Sequence, residues 1–324
     1  MLERLLINSS GLILLMLMSS ACSFNDGRSN PIETVDAAGA SFPARLYQRW
    51  FYDLSEEGIF VNYKSVGSGA GLKLFKRGST DFGATDIKID DKELINNIIQ
   101  FPATAGGIAV VYNNKDCPLN LTHKELAGIF TGKIKNYDVF GCKSKKIQLI
   151  ARSDSSGTTY NFTSYLSSIS DVWKESNGKN KKFKFYNAIE KVGTEGVLLA
   201  LKQNDGGISY VNAASVPREL EKAKLENQYG IFTEPTKASM SVGLQYLNND
   251  NTNSSLPKNG YPLVNVTWIY AKKDGNLFKL NSIKKVFDFM LSDESQKQAE
   301  KLGYVELPQK LLVKSRKELN TLKF

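Results

Sequence analysis

Apolar positions follow two spacings that alternate along the chain. Short runs at 34–40, 60–63 and 80–84 predict strands. Between the first two, Leu46, Trp50, Phe51 and Leu54 recur at three and four residues within 43–56, which predicts a helix with one buried face. Ser41 stands as the N-cap of that helix, and Pro43 sits in the first turn, where its missing N–H does no harm. Gly67 to Gly71 reads as a flexible turn that opens a helix over 72–76. The run 107–112 is apolar almost without interruption, as in a strand of a parallel sheet buried on both faces.

The same alternation continues. Thr122-His-Lys-Glu125 has the form of a capping box and opens a helix through Phe130. Strands are expected at 147–151 and 207–211. Helices are expected after Arg152-Ser-Asp-Ser-Ser-Gly-Thr158, with Phe162, Tyr165 and Leu166 inward, and over 194–202. A polar loop fills 248–260. A strand at 263–271 and one long helix at 282–302 follow it, the latter burying Ile283, Val286, Phe287, Met290 and Leu291. Strand alternating with helix is the α/β signature, and 324 residues suit two domains.

Composition narrows the chemistry. The formal charge is +9, which suits an anionic partner without naming one. The run Lys179-Asn-Lys-Lys-Phe-Lys184 reads as a solvated loop, since it lacks the interleaved aromatics and basic stripes of a nucleic-acid surface. His123 is the single histidine, which excludes a multi-histidine zinc site. It lies inside the capping box, where a surface role suffices. The three cysteines form no CxxC pair, so zinc-ribbon and thioredoxin-like motifs are excluded.

Arg4, the apolar stretch 12–18 and Ser19-Ser20-Ala21 make a secretory signal over 1–21, too short to span a bilayer. Cys22 then stands where a bacterial lipoprotein carries its lipid, and 22–32 reads as a tether; a plain cleaved signal is the alternative. Beyond the membrane, Cys117 and Cys142 are candidates for a disulfide worth about 3 kcal/mol in loop entropy, with two buried thiols as the alternative.

Three turns share one design. Ala38-Gly-Ala-Ser41-Phe42, Gly67-Ser68-Gly-Ala-Gly71 and Arg152-Ser-Asp-Ser-Ser156-Gly157-Thr158 each follow a strand, consist mainly of small or hydroxyl residues, and run into a helix. The first N–H groups of a helix lack internal partners, and its N-terminus carries about half a positive charge. Small residues let an anion reach that backbone, and a hydroxyl adds a donor. Arg152 offers paired donors that match a tetrahedral oxyanion. Asp154 either fixes that guanidinium or caps the helix. Enzymatic motifs fail on spacing: Gly67-x-Gly69-x-Gly71 is not GxGxxG, and Gly128 to Ile134 is not a P-loop. No cofactor or metal is called for.

Taken together, Ala38-Gly-Ala-Ser-Phe-Pro43, Val66-Gly-Ser-Gly-Ala-Gly71, Asp81-Phe-Gly-Ala-Thr-Asp86 and Arg152-Ser-Asp-Ser-Ser-Gly-Thr158 resemble the phosphate-binding proteins (the PstS family) of bacterial phosphate ABC transporters. The likeness runs from about 34 to 310 and includes Gly207-Ile-Ser-Tyr-Val211 and Thr267-Trp268. The cysteine pair is similar to the cyanobacterial branch. The resemblance implies a type II two-lobed periplasmic-binding-protein fold with two crossovers between lobes. Lobe one would comprise 33–112 with 262–324, and lobe two 113–261. Phosphate ligands carried over by motif are Ser41, Phe42, Ser68, Asp86, Arg152, Ser156, Gly157 and Thr158. Asp86 is the informative one: an ionised carboxylate only accepts, so it welcomes an anion that keeps a proton and repels sulfate. The implied protein is an extracytoplasmic, lipid-anchored monomer that hands phosphate to a membrane permease and binds no nucleic acid. Rivals are a sulfate or molybdate receptor, and a phosphatase using Ser68 or Ser156 as nucleophile.

Overall fold

A computed structural model of the chain describes residues 34–90, 92, 97–247 and 260–322. The signal 1–21, the proposed lipid site Cys22, the tether 22–32 and most of the 248–260 loop lie outside the described residues. No described helix is long and apolar enough to cross a membrane.

The chain begins as a βαβαβ unit. β1 (Thr34–Gly39), α1 (Ala44–Glu56), β2 (Phe60–Ser65), α2 (Ser68–Lys76) and β3 (Phe82–Thr85) follow in order. β1 pairs in parallel with both β2 and β3. Parallel neighbours end at one edge of the sheet, so the turns after these strands converge there. α1 buries Leu46, Trp50, Phe51 and Leu54 on the expected face. Its N-cap position falls to Pro43, not Ser41, whose hydroxyl is used elsewhere. The glycine-rich stretch after β2 is not a loose turn: α2 starts at Ser68, directly after Gly67.

β4 (Ile98–Tyr112) joins the two halves of the molecule. Its residues 98–107 pair with β12 (Val264–Lys272), whereas 108–112 pair with β8 (Gly207–Asn212). Residues 108–112, assigned on sequence to the first lobe, pair with β8 and not with β12. Both pairings are antiparallel, so the expected parallel setting of 107–112 is wrong. Its unbroken apolar run follows from burial on both faces, which does not depend on strand direction.

The second half contains β5 (Asn120–Leu121), α3 (His123–Phe130), β6 (Gln148–Arg152), α4 (Gly157–Ile169), α5 (Asp171–Ser176), β7 (Ile189–Lys191), α6 (Gly193–Gln203) and β8. β6 is parallel to β7 and β8. The expected capping box opens α3: Thr122 accepts from the Glu125 N–H, and the Glu125 carboxylate accepts from the Thr122 N–H. Cys117 and Cys142 form a disulfide with Cα atoms 5.5 Å apart. Short strands β9 (Glu221–Lys222), β10 (Lys224–Glu226) and β11 (Phe232–Thr233) and helix α7 (Lys237–Leu244) lead to the return crossing. Among the described residues the main sheet runs β2-β1-β3-β12-β4-β8-β6-β7, an α/β architecture of two lobes sharing one long strand.

After β12 come α8 (Leu277–Met290), α9 (Asp293–Lys301) and α10 (Gln309–Leu319). The single helix expected over 282–302 is thus two. Ser292 breaks it, capping α9 by accepting from the Ser295 N–H, with Asp293 and Glu294 in the favourable first turn.

Candidate functional site

The turns after β1, β2 and β3 lie at one sheet edge, and those after β6 and β7 lie at the edge facing it. Direct contacts close the gap. The Gly69 N–H at the start of α2 donates to the Ser155 carbonyl, 3.0 Å away. The Thr158 hydroxyl, in the first turn of α4, donates to Asp86 Oδ2 at 3.2 Å. Gly157 is required here: a Cβ on it would stand 2.6 Å from Ser68 Oγ and 2.7 Å from Asp86 Cβ. Gly67, at φ +86°, meets the same demand against the Asp154 carboxylate.

On the wall of the first half, Asp86 is 1% exposed. Its Oδ1 accepts from Thr267 at 2.7 Å, and its own N–H donates to Ser68 Oγ at 3.3 Å. Burial pushes its carboxyl up to about 6, while the Thr267 and Thr158 hydroxyls and the Arg152 charge restrain the rise. Each carboxylate oxygen has two lone pairs, so it keeps room to accept from a protonated ligand.

The opposite wall carries the cation. Arg152, the last residue of β6, is buried, and its Nε donates to Asp154 Oδ1 at 2.7 Å while Nη2 pairs with Oδ2. The Gly193 N–H adds a third donor to Asp154 Oδ1 at 3.2 Å. Burial works to raise Asp154, but the Arg152 hydrogen bonds and charge and the Gly193 N–H hold its carboxyl below the usual range. Of the two roles open to Asp154, it therefore fixes the guanidinium. The cap of α4 is Ser156, which accepts from the Thr159 N–H at 3.1 Å.

The first turn enters through other partners. Ser41 Oγ lies 3.0 Å from Thr194 Oγ1, at the start of α6. The Phe42 ring is fully buried, and its carbonyl accepts from Asn212 Nδ2 at 2.6 Å and the Tyr304 hydroxyl at 3.0 Å. All eight proposed ligands are buried, and the structure links Ser68, Asp86 and Thr158 directly. Sequence reasoning missed Thr194, Thr267 and Asn161. Lys191-Val-Gly193-Thr194 repeats the strand, small residue, helix design of the other turns, so a signal existed for Thr194. Asn161 reaches across from α4: its Nδ2 contacts the Asp86 carbonyl at 2.7 Å and Asn265 Oδ1 at 2.8 Å. No local pattern marks such a residue. The His123 ring nitrogen Nε2 lies 3.0 Å from the Glu226 carbonyl.

Comparison with known proteins gives the family and the fold. The family described as "PBP superfamily domain" matches residues 25–294. A phosphate-binding protein PstS of Haemophilus influenzae is 34% identical over 300 residues, covering 85% of this chain and 89% of its own. A high-affinity periplasmic phosphate-binding protein (PfluDING), solved with phosphate bound at pH 8.5, superposes with a TM-score of 0.72 at 21% identity, covering 88% and 93% of the two chains. An ABC-type phosphate transport receptor from Vibrio cholerae superposes at 0.60 with 22% identity, covering 85% and 100%.

Proposed function

This chain belongs to the PBP superfamily and, within it, to the PstS phosphate-binding proteins, and from that premise we propose that it captures inorganic phosphate between its two lobes and delivers it to an ABC importer permease. One observation carries the reading: a buried acceptor, Asp86, and a buried, fixed guanidinium, Arg152, face one site from opposite halves. The ligand set is Ser41, Phe42, Ser68, Asp86, Arg152, Ser156, Gly157 and Thr158, with Thr194 added through Ser41.

Hydroxyls, helix N-termini and Arg152 supply donors to the phosphate oxygens. Asp86 accepts the proton that hydrogen phosphate retains. Sulfate has no such proton and would set two anions against each other in a dry cleft, at a cost of about 1–3 kcal/mol or more. Binding both walls at once favours the closed form, and the hinge lies where β4 changes partner between Gly107 and Ile108 and where the chain returns through 260–264.

We read the protein as a receptor rather than an enzyme: the Ser156 and Ser68 hydroxyls accept from the Thr159 and Asp86 N–H groups, which leaves their own protons to donate to a bound anion. It works outside the cytoplasm as a monomer, held to the membrane by a lipid on Cys22. Fatty-acid labelling that is lost in Cys22→Ser tests the anchor. Equilibrium binding of labelled phosphate to the purified protein tests the function. Saturable uptake that excess sulfate fails to displace is expected; no uptake, or equal displacement by sulfate, overturns it.

A further inference from the structure

We infer that lysines from both lobes form a cationic mouth, an outer site that captures the hydrated anion before the inner site closes on it; this rests on the phosphate reading above. The basic run 179–184 reads in the sequence as a solvated loop, but the structure pins it beside the site. The Ser156 N–H donates to the Lys181 carbonyl at 2.8 Å, and the Asn180 N–H donates to Thr163 Oγ1 at 2.9 Å. The lysines are thereby held on the flank of α4, next to its anion-facing N-terminus.

Two adjoining cavities open there. One, of about 190 Å³, reaches Ser68 of the inner site and is lined by Lys88, Lys181, Asp90 and Tyr160. The other, of about 370 Å³, shares Lys88 and Tyr160 and adds Lys174 and Lys179. Among the described residues that line the two cavities, four are lysines and one, Asp90, is a carboxylate. Lys88 follows β3 in the first lobe, and the other three belong to the second. Lys174, Lys179 and Lys181 are exposed.

The two sites suit two states of one ligand. An ammonium is a compact, strongly hydrated charge, suited to an anion that still keeps its water. Arg152 and the buried hydroxyls suit the stripped anion. A cleft of one sign focuses the field and raises the rate of anion encounter by tenfold or more at low salt, and ions screen exposed charges beyond about 8 Å at physiological strength. The mouth therefore acts on association and not on how long the closed complex lasts.

The test is the on-rate of radiolabelled inorganic phosphate, followed by rapid filtration across a range of ionic strength. The variant Lys174→Gln/Lys179→Gln/Lys181→Gln is compared with an equal neutralisation on α10, Lys310→Gln/Lys314→Gln/Lys317→Gln. All six side chains are exposed. The mouth variant should bind about three- to tenfold more slowly at low salt, with a flatter salt dependence and an off-rate within about twofold of wild type. The α10 variant should bind nearly as wild type does. An unmoved on-rate and salt slope, or an equal loss in both variants, overturns the mouth alone. Wild-type protein that takes up no label overturns the phosphate reading and the mouth with it.

Discussion

Asp86 and Asp154 are carboxylates on facing walls of one site, and burial works to raise both. They nevertheless move in opposite directions, Asp86 up to about 6 and Asp154 below its ordinary value. Depth and neighbours both separate them: Asp86 is fully buried, whereas Asp154 is only partly covered. Asp154 holds a guanidinium in a two-pronged pair and takes a backbone N–H besides. Asp86 has two hydroxyl donors and feels Arg152 only as a charge in its surroundings. Under the proposed phosphate reading each carboxylate has a distinct task. The one kept ionised fixes the cation that attracts an anion. The one whose ionisation is costly tests whether that anion brings a proton.

The largest expected effect comes from removing the cation that both aspartates sense. Arg152→Ala should weaken phosphate binding by about 100- to 1000-fold, because it takes from a buried anion the paired charged donors, whose hydrogen bonds are worth about 1.5–3 kcal/mol each. Titration calorimetry checks it, and near-normal affinity would take Arg152 out of the site. Next comes Asp86 itself. Its carboxyl is raised in the folded protein, so the stability it contributes is present below the ordinary value of 3.8 and is lost as pH rises through about 6. Between pH 4 and 8, in phosphate-free buffer, wild type should therefore lose about 2 kcal/mol relative to Asp86→Asn. Urea unfolding of both proteins at each pH measures the difference; parallel curves would show that Asp86 is not raised. The same variant should discriminate phosphate from sulfate less well by at least about tenfold.

Gly157→Ala forces the walls apart, since its Cβ would press on Ser68 Oγ and Asp86 Cβ. Overpacking of this kind costs about 1–3 kcal/mol, so affinity should drop about 10- to 100-fold while selectivity against sulfate stays intact. The smallest effect belongs to Asp154→Asn, which leaves Arg152 charged but loosely held. About a tenfold loss of affinity is expected, again with unchanged selectivity. A selectivity change in Asp154→Asn as large as that in Asp86→Asn would erase the division of labour between the two carboxylates.

The α/β alternation, the inward face of α1 and the α3 capping box were legible in the sequence, because local spacing and end chemistry decide them. The small-residue turns were legible too, and the eight positions proposed from them and from the family resemblance are all buried. Other features had no local signature. Whether Ser41 caps its own helix or reaches Thr194 depends on α6, more than 150 positions away in the chain. That β4 serves both lobes follows from which strands flank it, and its apolar residues look the same in either pairing. Asn161 and Thr267 gain their roles only because β12 and α4 meet at Asp86. The sequence by itself determined the helix ends and strand cores, since capping and burial act over a few residues. Tertiary structure alone decided how Asp86, buried, and Asp154, partly buried, divide, since desolvation and charge act through whatever lies nearby in space.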